Sequence, residues 1–412
     1  MGVKQKPETK VSWLWWLAAA ALYFAVYGYN LQFPPEMYYD EVYQVKTARH
    51  ILHLERYDQT THPPLGMLLI SLSMVVFGDV SWAWRLPSLV TGFGVIAAIY
   101  LVCEKITLNR RVALFAAALY FLDCMSFTQA RIGMLNMPML FFALLSLLFM
   151  IKYAVTREWS QEKAFLFAGA FFGMAMATRW VAVTMAAPLG FLYLKVWFEE
   201  KDKLRLIKNT LIYFCVLPLV IYVATFFFMP FMKGHTWRSI IEFHSRNINY
   251  NLYLKQGHTY GSEWWSWPIM TRPIWYEFRR VGENVKGILC IGNPAIFWVI
   301  PIAMTYALWE FLKKQSLLFV FVIGGFLSQW VPWAFVSRVK FFHYFDPAMP
   351  FVCLAIALGL DKFWTLNRRG RWAVIVYGIV VVGFFIYWYP LLNGIAIPEP
   401  AFRQRMWFPS WI

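Results

Sequence analysis

Eleven apolar stretches recur along this 412-residue chain, and each is close to the roughly 20 residues that an α-helix needs to cross a bilayer. Hydrophobic residues make up 60% of the sequence and charged residues only 15%, whereas soluble domains carry about 25% charged residues. This composition argues against a water-soluble enzyme, a disordered chain and a secreted disulfide scaffold. We therefore predict an all-α polytopic membrane protein with about 11 transmembrane helices. The predicted spans are 13–31, 83–102, 112–128, 134–151, 164–178, 180–198, 209–229, 293–312, 316–335, 345–360 and 372–389.

The charge distribution predicts the orientation of these spans. A net charge of +16 would suggest a nucleic-acid partner in a soluble protein, but in a membrane protein basic residues concentrate in cytoplasmic loops. Residues 63–77 are apolar and end at Gly78-Asp79, which is short for a span and typical of a re-entrant segment. If this segment does not cross and the N-terminus is cytoplasmic, 20 of the 38 Lys and Arg residues lie in inner segments. We predict an inner N-terminus, an outer C-terminus and no nucleic-acid partner.

The first outer loop carries two carboxylates at the start of a predicted helix. Prolines followed by acids are typical of a helix N-terminus, and the apolar spacing predicts an amphipathic helix over 36–54 that lies on the membrane. Asp40 and Glu41 would then lie just above the bilayer. They either cap the helix or, beside a low-dielectric surface, supply a general base that takes a proton from a hydroxyl.

Histidines of the same loop have a structural and a functional interpretation. His62 precedes Pro63 and Pro64, which restrict its backbone at the tip of the re-entrant segment, although two prolines also simply begin helices. His50 and His53 are three residues apart on one helix face, which suits a metal pair or two surface histidines. Because no third ligand stands at a fixed spacing, we predict no metal site.

Basic residues stand in three short outer loops, where positive charge is normally avoided. Arg131 and Arg179 lie in two of them, and Arg338 begins a third that also contains His343 and Tyr344. Each arginine alone could extend to lipid headgroups. Together they suit one shared anion, because a guanidinium holds phosphate through two parallel hydrogen bonds. The predicted ligand is a phosphate-bearing lipid headgroup at the outer face.

The longest outer loop, residues 230–292, is rich in aromatic side chains. Aromatic rings are ordinary at a membrane interface. Here they alternate with polar and charged residues, which equally suits a cleft that stacks sugars or peptides. The rings are Tyr260, Trp264, Trp265, Trp267 and Trp275, and the residues between them include His258, Glu263 and Arg272.

Several short motifs follow one another in an order that agrees with this topology. They are Asp40-Glu41, His62-Pro63-Pro64-Leu65-Gly66, Arg85-Leu86-Pro87-Ser88, Gln129-Ala130-Arg131, Arg179-Trp180, Ser262 with Trp267-Pro268, Gly292-Asn293-Pro294, and Arg338 with His343-Tyr344. Through these motifs the chain resembles, from about residue 33 to 361, the dolichyl(polyprenyl)-phosphate-mannose–protein O-mannosyltransferase family. That family belongs to the lipid-linked type-C (GT-C) glycosyltransferases.

The resemblance implies a GT-C fold in a single membrane domain. A catalytic region would cover 1–335 with outer loops 32–82 and 230–292, and the last helices and an outer tail would cover 336–412. The implied reaction is inverting transfer of mannose from a polyprenyl-phosphate carrier to Ser or Thr hydroxyls of secreted polypeptides, with no cofactor. The implied partners are the lipid-linked sugar donor, the polypeptide acceptor near the secretion channel, and membrane lipids.

The resemblance also implies roles for individual residues. Asp40 is expected to be the catalytic base, and Glu41 is expected to bind or orient the acceptor. The residues expected at the donor phosphate are Arg131, Arg179, Arg338, His343 and Tyr344. The residues expected to bind substrate are His62, Tyr260, Ser262, Trp265, Trp267 and Arg272.

The chain departs from the family pattern at Met67 and Asn136, where members often carry a lysine and an acid. No outer loop is long enough for the large luminal domain of eukaryotic members. We therefore expect the bacterial-like form, in the plasma membrane of a prokaryote with its active site on the outer face. Two alternatives stay open. One is a sibling transferase that moves another sugar onto a lipid or glycan, and the other is a transporter, for which Asp123 is the chief charged residue near a span.

Overall fold

The structure, a computed structural model, describes residues 12–55, 61–156, 161–229, 237–253 and 257–412. Helices make up most of it. In chain order they are α1 (Trp13–Gly28), α2 (Glu41–Leu52), α3 (Leu65–Phe77), α4 (Ser81–Thr107), α5 (Arg110–Phe121), α6 (Cys124–Gln129), α7 (Asn136–Ile151), α8 (Gln161–Thr178), α9 (Ala186–Glu199), α10 (Lys203–Thr210), α11 (Leu217–Phe226), α12 (Trp237–Tyr253), α13 (Pro294–Phe297), α14 (Ile300–Lys314), α15 (Leu317–Trp330), α16 (Met349–Leu366), α17 (Arg368–Leu392) and α18 (Glu399–Arg403). The longer 3₁₀ segments are Trp180–Met185, Trp264–Ile269, Val331–Phe335 and Phe342–Ala348, and π turns occur at Lys152–Thr156 and Leu211–Val216.

Eight helical segments within the described residues are long and apolar enough to span a membrane. They are Ser81–Thr107, Asn136–Val155, Trp180–Glu199, Lys203–Phe226, Pro294–Lys314, Leu317–Phe335, Phe342–Leu366 and Arg368–Leu392. The other three predicted spans coincide with α1, α5 and α8. The prediction of a polytopic helical membrane protein is confirmed, and the count of eleven spans stays a prediction.

Helix α7 lies at the centre of the bundle, because α4 and α8 both pack against it. Its sequence is apolar on nearly every side, as a helix enclosed by neighbours requires. Helix α3 has 13 residues and so spans only about 20 Å, which is short of a hydrocarbon core of about 30 Å. It packs between α2 and α4 and does not stand alone as a span.

The amphipathic helix of the first loop is present, but it begins at Glu41, later than the predicted residue 36. Tyr39 has a φ of +49°, a left-handed conformation that interrupts helical geometry just before Asp40. From there the buried side of α2, with Val45 and Ala48, packs on Met67 of α3. The first outer loop is therefore packed, through α3, against the membrane helices.

A small antiparallel sheet, which the sequence did not predict, accompanies the helices. Strands β1 (Ile274–Val281) and β2 (Asn284–Cys290) form a hairpin within the large loop, and β3 (Ile397–Pro398) of the C-terminal tail pairs with β2. The register shifts between Trp275 and Glu277, so Tyr276 is the extra residue of a β-bulge. The sequence pattern missed these strands because β2 is buried over most of its length and shows little polar alternation.

Candidate active site

Asp40 occupies the N-cap position of α2, but its side chain makes no capping hydrogen bond. The capping interpretation of this carboxylate is therefore wrong. Burial raises the pKa of Asp40 to about 6, and the nearby Arg179 and Arg338 partly oppose that shift. An aspartate of this kind is still largely ionised at neutral pH, and it is more basic than an ordinary surface aspartate.

Two guanidinium groups lie close to Asp40 and are held by an aromatic ring. Arg179 follows α8 directly and is 8% exposed. The guanidinium carbons of Arg179 and Arg338 lie 5.8 and 5.7 Å from the centre of the Tyr344 ring. Trp333 stacks on the same ring at 4.5 Å. Within the described part of the chain neither guanidinium has an ion pair or a side-chain hydrogen bond, so both keep their donors for an anion.

His62 lies within the electrostatic influence of this group. Burial, reinforced by Arg179 and Arg338, lowers the pKa of His62 well below its ordinary value. The imidazole is therefore uncharged at neutral pH. The structure thus brings four predicted site residues, Asp40, His62, Arg179 and Arg338, into one electrostatic environment.

The aromatic wall beside Asp40 comes from residues that the sequence patterns did not single out. The left-handed turn at Tyr39 sets its ring on Tyr276, with ring centres 4.2 Å apart. Gln129 Nε2 donates to the Tyr276 hydroxyl, and Asn136 Nδ2 donates to Gln129 Oε1 at 2.7 Å. The bulge at Tyr276 thus directs a ring of the large loop onto the start of α2. Within the Gln129-Ala130-Arg131 motif, the expected site residue was Arg131, but the residue that contacts this aromatic wall is Gln129.

His343 and Tyr344 lie on the 3₁₀ segment Phe342–Ala348. The His343 ring is 1% exposed and stands edge-on to Tyr39 at 5.9 Å and to Tyr344 at 4.8 Å. Both of its ring nitrogens lack a hydrogen-bond partner within the described chain. The structure therefore places these two predicted residues beside Asp40 and the arginines.

Glu41 has a different environment from its neighbour. Its carboxylate is fully buried and pairs with Arg85 through Nε at 2.8 Å and Nη2 at 2.9 Å. It also accepts from the backbone N–H of Gly133 at 2.8 Å and from the Trp84 indole at 3.3 Å. The Arg85 guanidinium donates in addition to the Leu31 carbonyl at 2.9 Å. In this structure Glu41 fastens the first loop to α4, and the expectation that it contacts the acceptor has no support here.

Arg131 contacts the end of α1. Its Nη1 donates to the backbone carbonyls of Tyr27 and, at 2.8 Å, Tyr29, and its guanidinium lies 5.1 Å from the centre of the Phe127 ring. Carbonyls at a helix C-terminus lack intrahelical partners, so this contact satisfies the end of α1. These contacts do not place Arg131 with Arg179 and Arg338, and its expected role at the donor phosphate stays a prediction.

Most predicted substrate-binding residues of the large loop make packing contacts. The buried Trp267 indole donates to Ser262 Oγ at 2.9 Å, and the Ser262 N–H donates to the Lys340 carbonyl at 2.9 Å. The Arg272 guanidinium lies 5.3 Å from the centre of the Tyr260 ring and donates to the carbonyl of Ile412 at 3.1 Å. These contacts hold the large loop against the Arg338 loop and the tail.

Trp265 differs from the rest of the large loop, because it is 57% exposed. Contact of Trp265 or Tyr260 with substrate stays a prediction. No group of three or more His, Cys, Asp or Glu side chains that could hold a metal occurs within the described ranges.

Comparison with solved structures identifies the fold. The chain aligns with the protein O-mannosyltransferase Pmt1-Pmt2 complex of Saccharomyces cerevisiae bound to the sugar donor, with a TM-score of 0.86, 15% identity and coverage of 99% of this chain and 93% of that one. It aligns with ArnT of Cupriavidus metallidurans bound to undecaprenyl phosphate with a TM-score of 0.64, 15% identity and coverage of 93% and 74%. The protein therefore has the polytopic helical fold of the GT-C class.

Family models and relatives identify the family. Residues 61–228 match the family described as dolichyl-phosphate-mannose-protein mannosyltransferase, and residues 236–411 match the C-terminal four-transmembrane region of protein O-mannosyltransferase. The chain belongs to this protein O-mannosyltransferase family. The polyprenol-phosphate-mannose–protein mannosyltransferase of Corynebacterium glutamicum is 25% identical over 86% of this chain and 82% of its own length. That of Mycobacterium tuberculosis is 22% identical over 92% and 86%.

Proposed function

We propose that the protein transfers mannose from a polyprenyl-phosphate carrier to Ser or Thr hydroxyls of secreted polypeptides, with inversion at the anomeric carbon. The observation that carries the proposal is the uncapped Asp40 carboxylate beside Arg179 and Arg338, two arginines without a counter-ion in the described chain. The names of the relatives support a polyprenol-phosphate-mannose donor and a protein acceptor.

In this proposal Asp40 is the general base. It takes the proton of the acceptor hydroxyl while the oxygen attacks the anomeric carbon, because an alcohol is a poor nucleophile until its proton is removed. The bond between that carbon and the phosphate oxygen breaks, and the phosphate leaves with the bonding electrons. A single displacement from the face opposite the phosphate inverts the sugar.

The charges of the site stay balanced through this reaction. Before transfer, two arginines, the ionised Asp40 and a phosphodiester donor sum to a formal charge of zero. After transfer, Asp40 is protonated and the polyprenyl phosphate carries the second negative charge, so the sum is again zero. Arg179 and Arg338 therefore stabilise the charge that develops on the leaving group, which is a large contribution in a site with low dielectric.

We place the reaction at the outer face of a prokaryotic plasma membrane. The excess of basic residues in the predicted inner loops supports this orientation. The relatives from Corynebacterium and Mycobacterium support a bacterial setting. If the acceptor polypeptide is modified before it folds, the protein would act close to the secretion channel from which that polypeptide emerges.

The direct test incubates the purified protein with radiolabelled polyprenyl-phosphate-mannose and Ser/Thr-rich peptides, with Asp40→Asn as the matched control. We expect label on the peptide with the wild-type protein and a large loss of it with the variant. Transfer of another sugar to lipid or glycan, combined with no mannosylation of any of several peptides, would favour the sibling-transferase alternative.

A further inference from the structure

The His343 imidazole is buried and has no hydrogen bond. The ring is 1% exposed, and neither Nδ1 nor Nε2 has a partner within the described residues. A buried polar group without a partner is destabilising, and such groups are rare enough in native proteins that each calls for an explanation. Two such atoms on one ring point to a ligand that hydrogen-bonds to this imidazole.

The surroundings of His343 define where that ligand lies. Phe341 is parallel to the imidazole at 5.9 Å, and Tyr276 stands edge-on to it at 6.1 Å. The ring also contacts Tyr39, which directly precedes Asp40 in the chain. It contacts Tyr344 as well, and the Tyr344 ring packs against the guanidinium groups of Arg179 and Arg338. His343 therefore contacts both the tyrosine that precedes the proposed base and the tyrosine that packs against the two arginines. In a displacement reaction the transferred group lies between the base and the leaving phosphate, which is the region that these two tyrosines border.

The chemistry of the ring separates a sugar from a phosphate. A neutral imidazole offers one N–H donor and one acceptor nitrogen, whereas the oxygens of an ionised phosphate only accept hydrogen bonds. A phosphate would leave the acceptor nitrogen of His343 unpaired. Hydroxyl groups both donate and accept, so a polyhydroxylated ring can satisfy both nitrogens.

The wall around His343 is rigid enough to select among ligands. Tyr276 is fixed by the hydrogen bond from Gln129 and by stacking on Tyr39. The 3₁₀ segment of His343 is tied to the bundle by hydrogen bonds from Ser126 and Tyr120 to Asp346, each of 3.2 Å. Sites supported in this way hold their polar groups in one geometry.

We propose that His343 binds hydroxyl groups of the hexosyl ring of the donor and is a specificity-determining residue of the transferase. This inference rests on the proposed function for its donor class, and it replaces the assignment of His343 to the donor phosphate. Because a site built to hydrogen-bond a hydroxyl strongly disfavours a ligand that lacks one, His343 makes the enzyme distinguish the glycosylated carrier from the bare carrier.

The test compares the affinity of the purified protein for polyprenyl-phosphate-mannose and for polyprenyl phosphate. We expect His343→Phe, which keeps a planar ring and removes both nitrogens, to weaken binding of the mannosylated carrier about 10- to 100-fold. Binding of polyprenyl phosphate should change less than about twofold. His343→Gln, which keeps one donor and one acceptor, should recover part of the loss. His53→Phe, the same substitution at an exposed histidine, should change neither affinity.

Equal weakening of both ligands by His343→Phe would assign His343 to the phosphate and overturn the inference, and so would no change in either. Thermal stability of His343→Phe and His343→Gln is measured alongside, and a loss of binding that tracks unfolding equally in both variants also overturns it. The binding ratio needs no acceptor. The wild-type protein could mannosylate no peptide while His343→Phe still weakens binding of the mannosylated carrier selectively. That outcome would reject the proposed polypeptide acceptor and would keep the contact between His343 and the sugar.

Discussion

Two charged clusters at the start of α2 contain similar residues and have opposite organisation. In the closed cluster, Glu41 pairs with Arg85, and Arg131 is bound to backbone carbonyls. In the open cluster, Asp40 lies near Arg179 and Arg338, and none of these side chains has an ion pair within the described chain. The comparison indicates that neither charge nor burial distinguishes the two clusters, whereas unsatisfied hydrogen-bonding capacity does.

The difference follows from simple electrostatics. In the closed cluster the Glu41 charge is matched by Arg85, and additional donors occupy its remaining lone pairs, so little capacity is left for substrate. In the open cluster neither Asp40 nor the two arginines has an ion-pair partner within the described chain, and the guanidinium donors are unused. A phosphodiester would complete it. Substitutions in the open cluster should therefore change turnover or donor binding, whereas substitutions in the closed cluster should change stability.

Asp40→Asn should have the largest effect. The amide cannot accept the proton of the acceptor hydroxyl, so we expect turnover to fall by about 10³- to 10⁴-fold. Because the carboxylate makes no capping bond, thermal stability and donor affinity should be retained. Single-turnover transfer and donor binding measured on the same preparation check this. Asp79→Asn, in an exposed pair with Arg49, is the matched control and should keep its turnover.

Near-wild-type turnover of Asp40→Asn would mean that the base lies elsewhere. A loss of stability equal to that of a closed-cluster variant would remove the distinction between the clusters.

Glu41→Gln should act through stability. The substitution leaves the buried Arg85 guanidinium without its counter-charge, and breaking such a pair costs about 3 kcal/mol or more. We expect a lower unfolding temperature, and lower turnover in proportion to the folded fraction. Unfolding monitored in detergent or nanodiscs checks this. Full stability with a selectively raised KM for the peptide would restore Glu41 to the acceptor site.

Arg179→Ala should weaken donor binding about 10- to 100-fold, because a charge-assisted hydrogen bond contributes about 1.5–3 kcal/mol. Arg131→Ala is the matched arginine removal in the closed cluster. Its expected result is lower stability, by about 1–3 kcal/mol, with unchanged donor affinity, since it deprives only backbone carbonyls of a donor. The opposite pattern, with donor binding sensitive to Arg131 alone, would exchange the roles of the two arginines.

Sequence reasoning located most of the helices, because long apolar runs are a strong signal. It also singled out Asp40 as a candidate, since acids at a helix start are easily recognised. The residue pattern alone, without the family resemblance, did not separate Asp40 from Glu41, because the difference depends on Arg85, 44 residues away in sequence from Glu41 and adjacent only after folding. The contacts of Arg131 were not predicted for the same reason, because its partners are backbone carbonyls at the end of α1.

The aromatic wall illustrates a second limit of sequence patterns. Tyr39 lies at the site because of a positive φ, and Tyr276 because of one extra residue in a strand. Neither a left-handed turn at tyrosine nor a β-bulge has a local signature in this chain. Such irregular positions are where sequence rules are expected to fail near functional sites.

The pH dependence of kcat/KM for the donor tests the role of Asp40 most directly. The pKa of Asp40 is raised to about 6, so the active, ionised form predominates above that pH and is lost below it. We predict a plateau at neutral pH and a fall of about tenfold for each pH unit below about 6. A profile that is flat through this range, or one that falls only near the ordinary aspartate value of about 4, would contradict the assignment of Asp40 as the buried general base.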